Sequence, residues 1–370
     1  MTDLAIIGGG IIGTAAAAIA AERGAAVTLY EATALGTGAS GRNLGSIQHP
    51  YDAALATLHA ESLTMYRELP GFDLPAEPSG VLLLGTDAGA LALHADALRD
   101  VAPELQPELF EGALLRALEP SLAHDIAAVR IMTGYPVPPH AAVTAYGALA
   151  RASGATIMEG QAAEPWLEGD RCRGVRLADG TTHPAGAVLL AAGPWSPALL
   201  RPAIAETIRI RRTWGVTLQL ELPDPPRHVL EEEEIGGEEL GGAFRWSIPE
   251  TGHAVFSLAT AAGRSALGST FFVDPPEPAA VAPALIERGA RFVPAVAGAT
   301  VLEQRRCARP QSADGRPFIG PVVGVSGLTV CAGHGPWGIS SGPASARMAV
   351  DVILAGGDVP PPLRADRFAR

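Results

Sequence analysis

The chain has 370 residues, 48% apolar and 18% charged, the balance of a soluble globular protein with room for two cores. A formal net charge of −12 argues against a nucleic-acid or anionic-membrane partner. Cys172, Cys307 and Cys331 lie far apart, with neither C-x-x-C nor ligand spacing; this speaks against a disulfide framework, a disulfide reductase or a metal site and points to the cytoplasm.

In chain order, the apolar pattern predicts a strand over 3–7, a helix over 11–23 and a strand over 26–30, then a glycine-rich loop over 36–45. Helices are expected over 53–69, 88–99 and 141–153, with strands over 81–85 and 156–158 and short helices and turns between 103 and 120. Residues 173–177 and the turn Asp179-Gly180 read as a hairpin, and 187–192 as an apolar strand. Alternation through 217–222, 243–248, 254–258 and 269–273 predicts an antiparallel sheet inserted into an α/β chain. The acidic run Glu231 to Glu234 reads as a solvated loop. Prolines over 275–278 and 360–362 mark turns, and the chain closes with helices over 279–292 and 342–354 around a strand over 329–332.

The most informative local feature is Gly8, Gly10 and Gly13 between the first strand and helix, with Glu31 eighteen residues beyond Gly13. Gly8 permits the tight turn, Gly10 lets the backbone approach a pyrophosphate, and Gly13 lets helix and strand pack closely. The helix N-terminus at Ile11 and Ile12 offers N–H groups to phosphates, and Glu31 can hold ribose hydroxyls. A signal peptide or membrane helix over 4–21 is disfavoured, because no basic residue precedes the run and four glycines interrupt it.

Five separated segments extend the pattern: 6–13 with Glu31, 38–45, 189–196, 309–320 and 333–340. With them the whole chain resembles the D-amino-acid oxidase, glycine oxidase and sarcosine oxidase superfamily of flavoproteins. The resemblance implies a discontinuous Rossmann-like FAD-binding domain (1–78, 137–207 and 303–370) and a substrate-binding domain (79–136 and 208–302) whose antiparallel sheet covers the flavin. It implies that Ser40, Arg42, Asn43, Leu44 and Gly45 run along the pyrophosphate and flavin, with Ser46 beside them. Ala163 would face the adenine, while Ala192, Gly193 and Trp195 form a second wall. Pro336, Trp337, Gly338, Ile339 and Ser340 would touch the isoalloxazine, where a helix N-terminus stabilises negative charge on the reduced ring.

Arg309 matches the family arginine that pairs with a substrate carboxylate, a role suited to a planar two-pronged donor. His49 and Tyr51 would lie near the flavin or the site entrance, and Phe244, Arg245, Trp246 and Trp337 are candidate pocket walls. His334 reads either as a base or as a backbone-fixing residue. Two features depart from the sarcosine oxidases. The chain contains no lysine, although those enzymes use one near the flavin, and Gln48 stands where they carry a second carboxylate-binding arginine. Cys307 falls near their covalent flavin attachment point, although FAD is expected to be non-covalent.

The implied activity is oxidation of a small amine or amino acid by hydride transfer to flavin N5, giving an imine that hydrolyses, with O2 or another acceptor reoxidising the flavin. A hydroxy-acid or polyol-phosphate dehydrogenase, or a flavoprotein subunit of a larger complex, is the alternative. An NAD enzyme would need a second nucleotide fingerprint if flavin were also present, and none occurs.

Overall fold

The computed structural model describes residues 2–369 apart from 234–237, 241–242 and 246–253. The strand Thr2–Ile7 runs through the glycine turn into the helix Ile11–Glu22, and Val27–Glu31 returns parallel to the first strand, with Ile7 opposite Tyr30. Leu4 to Ile7 are buried, as a parallel strand covered on both faces requires. The helix is almost entirely buried. Its alanines admit close packing against the helices Ala141–Ala152 and Gly338–Ala355. A Cβ on Gly342 would lie 3.0 Å from Ile11 Cγ2, so the two helices meet at a residue that must be small.

Among the described residues the strands build two eight-stranded sheets and two short pairs. The first sheet runs in the order Phe318–Pro321, Leu328–Ala332, Thr182–Leu190, Thr2–Ile7, Val27–Glu31, Thr156–Glu159. Its neighbours are parallel except for the first pair. The hairpin around Asp179-Gly180 forms between Arg171–Leu177 and Thr182–Leu190, as expected from its turn residues, and it carries Ala163–Glu168 on its far side.

The second sheet runs Thr300–Ser312, Ile210–Glu221, Arg264–Thr270, Ala254–Ala261, Val229–Glu232, Val81–Gly85, Ala127–Ile131, Glu108–Phe110. It is antiparallel throughout except where Val229–Glu232 lies parallel to Val81–Gly85. One face packs Leu218, Leu220, Phe256 and Leu258 against Leu285 and Phe292 of the helix Pro278–Phe292. The opposite face presents Gly215, Thr217, Val255 and Ser257 to the first sheet's domain.

Several expectations change. Glu231 and Glu232 are not in a solvated loop. They end the buried strand Val229–Glu232, and each accepts at least one hydrogen bond. Glu231 meets Gln48, while Glu232 accepts from Phe256 N and the Arg288 guanidinium. Glu234 lies outside the described residues. The strand expected over 269–273 runs instead over Arg264–Thr270, and that expected over 243–248 is Ala243–Arg245, which among the described residues pairs with Glu238–Leu240. The long strand Thr300–Ser312 was not anticipated, because arginine, glutamate and glutamine fill so many of its positions that apolar alternation is lost. The expected domain boundary at 302/303 falls inside this strand, which pairs with Ile210–Glu221 along nearly its whole length.

Candidate active site

A cavity of about 880 Å³ lies between the two sheets, in the upper part of the range for small-molecule sites. One end is the turn after the first strand. Gly8 has φ +110°, and a Cβ there would lie 2.5 Å from Ala191 O. A Cβ on Gly10 would reach within 3.0 Å of Ser40 Oγ. Glu31 is held in place by its own neighbours: Gly9 N donates to Oε2 at 2.7 Å, and Thr33 N and Oγ1 donate to Oε1 at 2.9 Å. A carboxylate with about four acceptor sites keeps capacity for ligand hydroxyls. Ser40 Oγ accepts from Ile11 N at 3.0 Å, which ties the glycine-rich loop to the helix N-terminus.

The middle of the cavity is organised by Asn43. Its Nδ2 donates to Ser40 O at 2.7 Å and its Oδ1 accepts from Gly45 N at 2.7 Å, so the side chain clamps the loop. Arg42 Nη1 reaches Arg306 O at 3.1 Å, tying the loop to the second sheet.

At the other end, Arg309 lies on the wall made by the second sheet. Nη1 donates to Thr270 O at 2.9 Å, Nη2 donates to Ser269 Oγ, and the guanidinium carbon sits 4.6 Å from the Phe271 ring centroid. A Cβ on Gly215 would come within 2.5 Å of Nη1, so the guanidinium occupies space that only glycine leaves open. Burial lowers this arginine's pKa, but an arginine stays charged in a protein.

Beside it the helix Gly338–Ala355 points its N-terminus at the cavity, which is lined by His334 to Ser340. Tyr66 Oη donates to Ile339 O at 2.8 Å and Ser340 Oγ accepts from Gln48 N at 3.0 Å, fixing this first turn. Gln48 Nε2 in turn donates to Glu231 Oε1 at 2.8 Å. Glu231 is buried on the same cavity wall, and its carboxyl is pushed up to about 7 by desolvation, partly offset by that bond. Burial pushes the His334 imidazole down to about 3, so it is neutral at any ordinary pH. Burial raises the Cys307 thiol, an effect only partly opposed by Arg309, Arg42 and Arg305. A neutral thiol is a weak nucleophile.

The cavity brings together Gly8, Gly10, Ile11, Ile12, Glu31, Ser40, Arg42, Asn43, Leu44, Ser46, Ala163, Ala192, Gly193, Trp195, Arg309, Pro336, Trp337, Gly338, Ile339 and Ser340. Gly13 and Gly45 are not on its wall. They are packing positions, where a Cβ would lie 1.8 Å from Gly8 O and 2.4 Å from Val137 O. His49 is also off the wall. Its Nε2 faces Glu104 at 3.6 Å, its ring packs edge-on to His59, and its backbone N donates to Thr133 Oγ1 at 2.8 Å. Tyr51 stands edge-on behind Trp337 at 6.2 Å between centroids. Trp246 lies outside the described residues, as do the side chains of Phe244 and Arg245. Sequence reasoning missed Gly215, Ser257, Ser269, Phe271 and Glu231. For Glu231 the signal was its place directly after Val229-Leu230, which makes the acidic run begin inside a strand rather than in a loop.

Residues 3–352 match the family model described as FAD dependent oxidoreductase (DAO). Glycine oxidase of Geobacillus kaustophilus is 26% identical over 369 residues, covering 95% of this chain and 92% of that protein. The crystal structure of glycine oxidase from Geobacillus kaustophilus superposes with a TM-score of 0.82 at 24% identity, covering 100% of this chain and 99% of that one. L-proline dehydrogenase from P. horikoshii superposes with a TM-score of 0.81 at 20% identity, covering 99% and 96%. Among the described residues no helix is long and apolar enough to cross a membrane. The glycine turn, the shared cavity and the match over nearly the whole chain lead to one assignment: this protein belongs to the DAO family of FAD-dependent oxidoreductases.

Proposed function

We propose that the protein oxidises a small amine or amino acid bearing a carboxylate, with FAD as the hydride acceptor. The observation that carries this reading is Arg309: a guanidinium supported from behind by Ser269, Thr270 and Phe271, on the wall of the cavity that begins at the Gly8–Gly10 turn. Names among the relatives, glycine oxidase and L-proline dehydrogenase, lead us to place amine oxidation ahead of hydroxy-acid or polyol-phosphate oxidation.

The residues present fit an extended dinucleotide. The turn Gly8–Gly10 lines the cavity with bare backbone, the first turn of the helix carries no acidic residue, and Glu31 is aimed by Gly9 and Thr33. We assign the diphosphate to the Ile11 helix N-terminus and Ser40, the ribose hydroxyls to Glu31, and the adenine end to Ala163. The ring end falls to Leu44, Ser46, Ala192, Gly193, Trp195 and residues 336–340. Bound FAD supplies an electron-accepting ring for a hydride. Arg309 would hold the substrate carboxylate and thereby orient the reacting C–H bond. The first turn of the helix Gly338–Ala355 would stabilise negative charge at the ring. His334, held neutral, would fix the turn rather than move a proton. We place 1–78, 137–207 and the residues after 312 in the cofactor-binding part. The strand 300–312 and the remainder go to the substrate side. The separated, buried free cysteines support a reducing cytoplasmic setting.

Anaerobic mixing of the flavin-loaded protein with a panel of small amines and amino acids tests the reading: at least one should bleach the visible flavin band. Failure of every amine, with a hydroxy acid bleaching instead, would transfer the assignment to the alternative. Air and an artificial dye, offered separately to the bleached protein, identify the acceptor.

A further inference from the structure

The second sheet places a buried carboxylate on the same cavity wall as Arg309. Glu231 is 6% exposed, Oε1 is occupied by Gln48 Nε2, and Oε2 has no hydrogen-bonding partner among the described residues. A buried carboxylate oxygen without a partner is a costly arrangement in a fold where most buried polar atoms are paired. Its neighbour Glu232, one residue on, is satisfied by Phe256 N and Arg288.

Strand order sets the spacing. The Arg309 guanidinium is tied to Ser269 and Thr270 at the end of the strand Arg264–Thr270. Next comes Ala254–Ala261, with Ser257 on the cavity wall, and then Val229–Glu232, with Glu231 opposite Ser257. Two strand spacings across the sheet, and the two residues along it between the levels of Gly268 and Thr270, set the backbone supports of the two groups about 12 Å apart. Both side chains line the cavity, and a small zwitterion with a hydrogen bond of about 2.8 Å at each end can bridge the part of that span left between them. The arginine end is cationic and the glutamate end acidic, so the wall is polarised along the direction in which an amino acid is polarised.

We propose that Glu231 recognises the substrate's amino group through Oε2, so that the site selects amine-bearing carboxylates over carboxylates of the same size that lack the amine. This inference rests on the amine-oxidation reading above. Gln48 has a defined part in it. Tied to the helix Gly338–Ala355 through Ser340 and to Oε1 through its amide, it orients the carboxyl and leaves Oε2 toward the ligand. The desolvated carboxyl becomes a better acceptor for an ammonium once the ligand's charge stands beside it.

The test uses flavin-loaded wild type, E231Q, E231D and R309M. Apparent Kd for the best amino acid comes from anaerobic flavin reduction at varied concentration. Kd for acetate, which has the carboxylate and no amine, comes from the perturbation of the flavin spectrum. In E231Q the amino-acid Kd should rise at least tenfold while the acetate Kd changes less than twofold. R309M should weaken both. E231D, which keeps the charge, should retain more of the preference than E231Q. Equal loss of acetate and amino acid in E231Q, or no loss of either, overturns the proposal. If E231Q does not hold flavin, E231D and wild type decide: a Kd ratio of amino acid to acetate that is the same in both overturns it. Wild type that binds acetate but is bleached by no amine sinks the amine-oxidation reading itself, an outcome distinct from an unaltered E231Q.

Discussion

Gly215 and Arg309 occupy one site between two antiparallel strands: Thr213 pairs with Arg309 and Gly215 with Cys307, and the guanidinium folds over Gly215. The only side chain that leaves the arginine its position is a hydrogen atom. In G215A the new methyl, 2.5 Å from Nη1, must push the guanidinium off Thr270 O and Ser269. The expected result is a rise of about tenfold in amino-acid Kd, since one to two charge-assisted bonds at about 1.5 kcal/mol or more are disturbed. Flavin content per mole of protein should be unchanged.

R309M should remove about 2–4 kcal/mol of transition-state stabilisation, a fall of about 30- to 1,000-fold in kcat/KM. R309K should recover only part of this, because a point charge on a flexible stem cannot match both the carboxylate and the supports at Ser269 and Thr270. Steady-state kinetics with one amino-acid substrate checks both. A kcat/KM within threefold of wild type for R309M would remove the clamp from the mechanism.

Glu231 makes a prediction on stability. Its carboxyl titrates at about 7 in the fold, above its ordinary value, so the folded chain holds that proton more tightly than the unfolded chain. The stabilisation is complete below pH about 4.5 and is lost as pH rises through 7. The groups around it are the Gln48 amide and the Tyr51 phenol, with Arg309 farther along the same wall. E231Q should therefore match wild type near pH 4.5 and exceed it at pH 8, by up to about 3 kcal/mol at 1.4 kcal/mol per unit. Chemical denaturation of the flavin-free proteins at the two pH values measures the difference. A gap that is equal at both values contradicts the burial of an ionisable carboxyl.

Two of the fingerprint glycines should fail in different ways. G13A sets a methyl 1.8 Å from the backbone at Gly8 O, where nothing flexible can yield. It should lower stability by about 1–3 kcal/mol even without flavin. G10A meets only Ser40 Oγ at 3.0 Å. It should leave the flavin-free protein within about 1 kcal/mol of wild type and weaken FAD binding at least tenfold. Melting curves with and without FAD separate the two cases.

Acid precipitation of the yellow protein should release all of its flavin into the supernatant. Burial raises the Cys307 thiol, and its Sγ lies 3.8 Å from Arg42 O. C307A should hold flavin as wild type does. Colour that stays with the precipitate in wild type and not in C307A would mean covalent attachment.

Much of the fold can be read along the chain because its signals are local. Gly8 to Glu31 form a contiguous strand–turn–helix–strand unit, and the hairpin at Asp179-Gly180 is marked by its turn residues. Arg309 was identifiable by resemblance of a segment, although the strand that holds it was not, since Thr300–Ser312 has too few apolar residues to alternate visibly. His49 was misplaced for the opposite reason: proximity to Gln48 in sequence says nothing of direction, and successive residues of an extended chain face opposite ways.

What the order of amino acids decides alone is where backbone must come close to backbone or to a phosphate. Gly8, Gly10 and Gly13 are legible because the absence of a side chain has the same meaning in any context. What only the folded chain decides is the character of a charged side chain. Glu231 stands in a run of four acidic residues that reads as solvated surface, and it becomes a buried cavity-wall group because Val229–Glu232 is threaded between Ala254–Ala261 and Val81–Gly85. Burial, and with it proton affinity and partner, is a property of neighbours brought from distant parts of the chain, and no local pattern contains them.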